Sequence, residues 1–154
     1  MDIESFLEKQ RCQFERVPHQ PTYSAQRLAH ALHVPGREVA KTVLLRGGAD
    51  GGFIVAVLPA NRNIDFASAS KLLGGGKLQL ATEIEIGECC PDCEFGVLPP
   101  FGSHYGMKTI VDSHLAEDEE FVFEANTRCE AIRMSFDEYR KMERPLIGSF
   151  ATSA

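Results

Sequence analysis

The sequence has no excess of positive charge and no long apolar run, and both absences restrict its function. Its 154 residues include 16 Lys and Arg against 22 Asp and Glu, which gives a formal net charge of −6. A protein that holds nucleic acid through a broad basic face needs the opposite balance, because phosphate neutralisation supplies most non-specific affinity. No apolar run approaches the roughly 18 residues of a membrane-spanning helix, and MDIESFLEKQ lacks the basic and apolar regions of a signal peptide. We expect a cytoplasmic protein without membrane or sequence-specific DNA partners, whose RNA contacts are local.

The cysteines do not supply a complete zinc site. Cys90-Pro-Asp-Cys93 is a C-x-x-C motif, but the chain has no second one, and a structural zinc site needs four ligands. A thioredoxin-like redox pair begins a helix after a buried strand, whereas this pair precedes a glycine-containing strand entry. Cytoplasmic proteins keep their thiols reduced. We therefore predict free cysteines, no metal and no cofactor, with a redox pair or half of a zinc site as the weaker alternatives.

Apolar periodicity predicts one α+β domain over residues 1–154. Helical spacing covers residues 2–14 and 24–34, and the apolar segments 39–45 and 53–58 predict a β-hairpin. Further segments predict a helix over 66–73, strands over 78–81, 109–111, 121–125 and 131–134, and a helix from a cap at Ser135. This order lacks the regular βαβ alternation of a doubly wound fold. We predict a curved mixed sheet of six or seven short strands with surrounding helices, and a partly loose C-terminal LIGSFATSA.

Lys41 is the first candidate functional residue, because it interrupts an apolar strand. It shares a predicted strand face with Val39 and Val43, where an apolar side chain is expected. A lysine at such a position either extends into a cavity or meets an anion. The alternative is a solvated lysine on an edge strand.

The second candidate is the segment FGVLPPFGSHYGM, residues 95–107, which has three glycines and two prolines. Its glycines allow a ligand to approach bare backbone, and its prolines fix φ and remove amide donors. The segment is a candidate substrate loop, although a tight connection between two strands has the same composition. A later turn, Asn126-Thr127-Arg128, is placed to project polar groups toward the same cavity.

Four segments, VAKTVLL, FIVAVLPANRNID, GVLPPFG and GMKTIVD, resemble the YbaK/prolyl-tRNA synthetase insertion-domain family. The resemblance covers nearly the whole chain. It implies a barrel-like mixed sheet and the hydrolysis of mischarged aminoacyl-tRNA, a trans-editing reaction that protects translation fidelity. The family's two signature elements, a strand lysine and a G-x-x-x-P loop, correspond here to Lys41 and to the loop from Gly96 to Pro100.

The resemblance also implies roles for these residues. Lys41 and Gly96 are the implied catalytic positions, with Lys41 donating to the substrate carbonyl or the 3′-terminal phosphate. The attacking water is held by backbone and by the substrate's ribose hydroxyl. We expect Val97, Leu98 and Phe101 to form a steric wall that admits small amino acids. The full set of implied substrate-binding residues is Val97, Leu98, Pro99, Pro100, Phe101, Gly102, His104 and Arg128.

The implied partners are the 3′ end of aminoacyl-tRNA and, as a second candidate, an aminoacyl-tRNA synthetase. One departure from the family concerns Arg128, because many members have a glycine and a histidine in this turn, and arginine cannot act as a neutral base. The alternative function is therefore a catalytically silent binding or regulatory module of the same fold. A general nucleic-acid-binding protein is a third hypothesis, which the acidic balance disfavours.

Overall fold

The computed structural model describes residues 2–48, 50–94 and 97–153, and a mixed five-stranded sheet lies at its centre. In this part of the chain the strands are β1 (Glu15–Pro18), β2 (Ala40–Gly47), β3 (Gly52–Pro59), β4 (Arg62–Ile64), β5 (Leu78–Leu80), β6 (Lys108–Asp112), β7 (Glu120–Glu124), β8 (Glu130–Ser135), β9 (Leu146–Gly148) and β10 (Ala151–Ser153). The helices are α1 (Ile3–Lys9), α2 (Ala25–Leu32), α3 (Phe66–Leu72), α4 (Glu83–Cys89) and α5 (Phe136–Glu143).

The central sheet has the strand order β5-β2-β3-β6-β9. The predicted hairpin is confirmed, because β2 and β3 pair antiparallel from Ala40↔Pro59 to Gly47↔Gly52. β6 then pairs parallel to β3, and β9 parallel to β6. The sheet is thus mixed, as predicted.

Two smaller sheets accompany the central one. One has the order β1-β8-β7, and the other pairs β10 with β4. A parallel bridge between Val39 and Val122 connects the start of β2 to β7, and so links the three-stranded sheet to the central sheet. The described strands form three sheets and no closed barrel, and the fold is mixed α+β.

Side chains of β2 and β3 alternate between two apolar clusters, which explains why both strands are apolar on both faces. Leu44 and Val57 belong to the larger cluster, while Leu45 and Leu58 belong to the smaller one on the opposite face. The larger cluster also contains rings that pack edge to face, with Phe101 and Tyr139 centroids 5.0 Å apart. Both faces of the sheet are therefore fixed by packing.

The helices begin where side chains cap them. Ser24 accepts a hydrogen bond from the Arg27 amide at the start of α2. A capping box begins α4, in which the Thr82 side chain accepts from the Glu85 amide and the Glu85 side chain accepts from the Thr82 amide. Ser135 caps α5 as predicted. Among the described residues, no helix combines the length and the apolar character needed to cross a membrane.

Three expectations about the ends of the chain and the strand number are wrong. The first helix ends at Lys9 rather than near residue 14, because Arg11 adopts a left-handed conformation with φ 58°. The C-terminal segment is ordered as β9 and β10, with Phe150 1% exposed and its amide donating to Asp112 Oδ1 at 2.9 Å. The described strands therefore number ten rather than six or seven.

Candidate active site

A pocket opens where one edge of β2 has no neighbouring strand. β5 covers this edge only from Leu45 to Gly47, with one further hydrogen bond from the Ala81 amide to the Leu44 carbonyl. At the other end the Val39–Val122 bridge joins β2 to β7. No described strand pairs with the edge between these two contacts, and a pocket of about 200 Å³ lies there. The fold thus exposes backbone at the middle of an otherwise paired sheet.

The pocket wall comes from α2, β2, the loop after Cys93 and the β7–β8 turn. It is lined by Tyr23, Ser24, Ala25, Ala40, Lys41, Thr42, Leu98, Glu124 and Arg128. Of the residues predicted to form the site, Lys41, Leu98 and Arg128 meet here. Gly96 lies outside the described residues.

Lys41 is half-buried in the pocket wall and its ammonium is held by backbone. Its Nζ donates a hydrogen bond to the carbonyl oxygen of Arg62, at the start of β4. Burial lowers the pKa of Lys41, because the charged form loses hydration. An ammonium has three donors, so one bond to Arg62 leaves capacity for a carbonyl or phosphate oxygen. The residue is thereby a positioned cation rather than a freely moving surface lysine.

Glu124 faces the same pocket, and the sequence analysis did not single it out. Burial raises its pKa to about 7, an effect that the neighbouring Arg128 opposes and Glu94 increases. The apolar pattern of β7 does not identify it, because Glu124 is the last residue of the strand, beside a turn where a glutamate is normally solvated. The pocket therefore contains a carboxyl group that changes charge near neutral pH.

Arg128 belongs to the turn after β7, and hydrogen bonds fix this turn. The guanidinium carbon of Arg128 lies 4.9 Å from the centre of the Tyr23 ring, within cation–π range. Its amide donates to Glu94 Oε2 at 3.1 Å. The Glu94 amide in turn donates to the Asn126 carbonyl at 2.7 Å, and the Glu94 carbonyl accepts from Val97. Glu94 thus connects the β7–β8 turn to the beginning of the predicted substrate loop.

Asn126 is buried at the centre of this arrangement. It has φ 66°, in the left-handed region that asparagine tolerates better than most residues. Its Oδ1 accepts from the Ile3 amide at 2.8 Å, and its Nδ2 donates to Tyr105 Oη at 3.3 Å. The same Nδ2 lies 3.4 Å from Cys93 Sγ. One side chain therefore ties together α1, the turn and the C-x-x-C motif.

The C-x-x-C motif corrects the expectation that all cysteines are free. Cys90 is the C-terminal cap of α4, and the chain turns so that the Cys93 amide donates to the Cys90 carbonyl at 3.1 Å. This turn brings the two Cα atoms within 5.4 Å, and Cys90 and Cys93 form a disulfide. Cys12, Cys89 and Cys129 are free. Cys90, Asp92 and Cys93 place three ligand atoms within 4.8 Å of one another, but the disulfide occupies both sulfurs.

Val97, Pro99, Pro100 and Phe101 contribute to the core rather than to this pocket. Val97 and Phe101 are 1% and 0% exposed, and Phe101 packs on Tyr139 instead of forming the expected steric wall. Pro99 and Pro100 are also buried, and Tyr139 Oη donates to the Pro100 carbonyl at 2.6 Å. Leu98 is thus the loop residue that reaches the pocket among those described.

Gly102 and His104 also lie away from the Lys41 pocket. A Cβ at Gly102 would lie 2.5 Å from Thr109 Oγ1, so glycine is required there by close packing. His104 lines a separate cleft with Tyr105, and its ring centre is 4.5 Å from that of Phe6. The geometry gives both residues structural contacts.

The sequence is similar to a tRNA deacylase and to part of a tRNA ligase. It is 23% identical over 153 residues to the "Multifunctional Ser/Thr-tRNA deacylase ProXp-y" of Escherichia coli (strain K12). The aligned region covers 97% of this chain and 91% of that protein. It is 32% identical over 105 residues to the proline–tRNA ligase of Thermosipho africanus (strain TCF52B), covering 61% of this chain and 18% of that enzyme.

Solved structures share the fold. The hypothetical protein APE2540 superimposes with a TM-score of 0.86 at 18% identity, over 97% of this chain and 99% of that one. A protein described as a candidate trans-editing enzyme for prolyl tRNA synthetase has a TM-score of 0.84 at 19% identity, over 98% and 95% of the two chains. Residues 19–142, well over half of the sequence, match the family described as the aminoacyl-tRNA editing domain, and the chain therefore belongs to that family.

Proposed function

We propose that the protein hydrolyses mischarged aminoacyl-tRNA in trans and removes a small amino acid in the pocket at the edge of β2. The observation that carries this proposal is that Lys41 and Leu98, from two distant segments of the chain, line one pocket. Membership of the aminoacyl-tRNA editing domain family supports the reaction. The name of the E. coli relative, a Ser/Thr-tRNA deacylase, supports a small amino acid as the group removed.

The reaction requires stabilisation of negative charge on the ester carbonyl. Water attacks the carbonyl carbon, the bond to the ribose oxygen breaks, and the ribose hydroxyl of the tRNA leaves with a proton. Charge grows on the carbonyl oxygen during the attack, so a fixed donor beside it lowers the barrier. Lys41 is the donor in this proposal, because Arg62 holds its ammonium in the pocket wall. Gly96 remains proposed as the second catalytic position, through its backbone amide.

The volume of the pocket supports a preference for small side chains. At about 200 Å³ it is smaller than the 300–1,000 Å³ of typical ligand sites. Leu98 is the apolar boundary in this proposal, while Val97, Pro99, Pro100 and Phe101 support it from the core. Arg128 is proposed to contact the anionic tRNA terminus, and Gly102 and His104 hold the far end of the loop.

We also propose a setting for this activity. Residues 1–154 act as one domain in the cytoplasm, where the 3′ end of aminoacyl-tRNA is the partner. The similarity to part of a proline–tRNA ligase supports a prolyl-tRNA synthetase as a second partner. The Val39–Val122 bridge supports a barrel-like arrangement in which the sheets curve around the larger core.

Lys41→Ala tests the catalytic assignment. Deacylation is measured on tRNAs mischarged with alanine, serine, cysteine and threonine, and the variant is compared with Lys71→Ala, which removes an exposed lysine at the end of α3. We expect Lys41→Ala to reduce kcat by about 10²–10³, because one stabilising donor is lost, and Lys71→Ala to have no effect. An unchanged rate for Lys41→Ala contradicts the assignment. If the wild-type protein binds these tRNAs but deacylates none of them, it is the catalytically silent binding or regulatory module that is the alternative function.

A further inference from the structure

We propose that Glu124 determines substrate specificity by binding the α-ammonium group of the aminoacyl ester. This inference rests on the proposed function and deepens it, since it names the part of the substrate that the pocket reads. It implies that the protein accepts aminoacyl-tRNAs with a free amine. Esters whose amine is acylated, such as formylated or peptidyl-tRNAs, are rejected.

The backbone of Glu124 is held rigidly. It is the last residue of β7 and pairs with Ala131 of β8. Its neighbours Phe123 and Ala125 are both buried, and the Ala125 amide donates to the Glu130 carbonyl at 3.0 Å. The strand end therefore holds the Cα of Glu124 at a fixed place in the pocket wall. A specificity-determining contact requires this rigidity.

The charges around Glu124 favour a cationic ligand. The charged groups near it are Arg128 on the following turn and Glu94 on the loop, and Lys41 and the ionisable Tyr23 line the same pocket. Burial outweighs the attraction of Arg128, so the pKa of Glu124 rises to about 7. A half-buried carboxylate gains most from a partner that brings positive charge and donors together. The α-ammonium of an aminoacyl ester is such a partner.

The substrate and the pocket carry complementary charges. An aminoacyl-tRNA terminus has a cationic amine, then the polarised ester carbonyl, then the anionic phosphate. The pocket offers one carboxyl group, Glu124, and two cations, Lys41 and Arg128. If Lys41 binds the carbonyl and Arg128 binds the phosphate, Glu124 remains to bind the amine. An acylated amine carries no charge, and its binding would leave the carboxylate buried and unpaired, which is costly.

The inference is tested by binding, so that catalysis is not required. The probes are the seryl amide of 3′-amino-3′-deoxyadenosine, which resists hydrolysis, and the same compound acetylated on the α-amine. Their dissociation constants are measured by calorimetry at about pH 7.5, where the α-amine and the Glu124 carboxyl are both mainly charged, for the wild type, for Glu124→Gln and for Glu120→Gln. Glu120 is the matched control, because it lies on the same strand and is exposed.

We expect the wild type and Glu120→Gln to bind the free amine about 10–100-fold more tightly than the acetylated probe, as for a hydrogen bond to a charged group. Glu124→Gln should lose this preference by weakening only the free-amine complex. The wild-type preference should also decline as the pH falls below 7, when Glu124 becomes protonated, and the variant should show no such decline. Equal weakening of both probes, or a preference that survives in Glu124→Gln, overturns the inference.

Deacylation of seryl-tRNA and N-acetylseryl-tRNA separates this inference from the proposed function. Binding selectivity without turnover of either tRNA supports the role of Glu124 and contradicts the hydrolase. Turnover of both tRNAs at equal rates supports the hydrolase and contradicts the role of Glu124.

Discussion

A carboxyl group whose pKa is raised by burial destabilises the folded protein once it ionises. Burial raises the pKa of Glu124 to about 7 in the folded protein, from an ordinary value of 4.5. Between these two values the folded state holds a proton that the unfolded state has lost, so the free energy of unfolding decreases as the pH rises. Below the lower value Glu124 is protonated in both states, and it does not lower the free energy of unfolding. Above pH 7 it is ionised in both states, and the full decrease in the free energy of unfolding is present.

Glu124→Gln should therefore stabilise the protein at high pH while it impairs substrate binding. We expect the free energy of unfolding to rise by about 2–3 kcal/mol at pH 8 and to be unchanged near pH 4. Urea denaturation at the two pH values measures both quantities. Glu120→Gln removes an exposed carboxylate from the same strand and should change neither. A variant that is no more stable than the wild type at pH 8 would show that the Glu124 carboxylate is well solvated.

Leu98 is expected to set the size limit for the amino acid. It is 6% exposed and lines the pocket, so Leu98→Ala enlarges the space beside the substrate. We expect kcat/KM for larger aminoacyl groups to rise about tenfold relative to the smallest one, since a methylene is worth roughly 1–3 kcal/mol. The control is Val97→Ala, which truncates a buried neighbour outside the described pocket lining. Identical selectivity in the two variants would place the size limit elsewhere.

Single residues differ in how far the sequence predicts their role. Lys41 is predictable because a lysine in an apolar strand needs a special environment. Glu124 is not, because a glutamate beside a turn is normally solvated, and the pocket that it lines is formed with residues distant in sequence, such as Ala25 and Leu98. The family resemblance implies that Phe101 and His104 bind substrate. Their ring contacts with Tyr139 and Phe6 show packing roles that spacing does not reveal.

At the scale of elements, local pairings are predicted better than distant ones. The β2–β3 hairpin and the caps of α4 and α5 follow from patterns within a few residues. β1 pairs with β8, and β10 pairs with β4, across most of the chain. Such pairings need long-range contacts such as the one from the Phe150 amide to Asp112. Local periodicity carries no information about them.

The disulfide between α4 and the loop should contribute little to stability and nothing directly to catalysis. Its cysteines are three residues apart, so it closes a short loop and restricts the unfolded chain by only about 2 kcal/mol. We expect replacement of Cys90 and Cys93 together by serine to lower the free energy of unfolding by about this amount and to retain deacylation. A reductant should have the same effect on the wild type and none on the variant.

Cys129→Ser is the matched control, because Cys129 is exposed and free. It should respond to reductant like the wild type. Metal analysis of protein purified without chelator belongs to the same experiment. Zinc near one equivalent, lost when both cysteines are replaced, would contradict the prediction and identify Cys90, Asp92 and Cys93 as metal ligands.

For the whole molecule, the acidic balance implies that tRNA is held at its terminus rather than along its length. With a formal charge of −6, the protein repels most of the phosphate backbone, and the pocket provides attraction through Lys41 and Arg128. The logarithm of the binding affinity falls linearly with the logarithm of the salt concentration. For single strands its slope is about −0.7 for each phosphate that the protein neutralises. One phosphate contact, made by Arg128, gives an expected slope of about −0.7 in a plot of log affinity against log salt concentration.

Binding of a tRNA with a hydrolysis-resistant seryl amide at its 3′ end, measured from low to high salt, tests this expectation. Arg128→Ala should weaken binding and make the slope shallower by about 0.7, because one phosphate contact is lost. Arg140→Ala removes an exposed arginine of α5 that pairs with Asp137, and it should leave the slope unchanged. A slope several units steeper, with comparable affinity for generic RNA, would instead indicate a broad nucleic-acid surface. Selectivity would then have to come from the duplex rather than from the aminoacyl pocket.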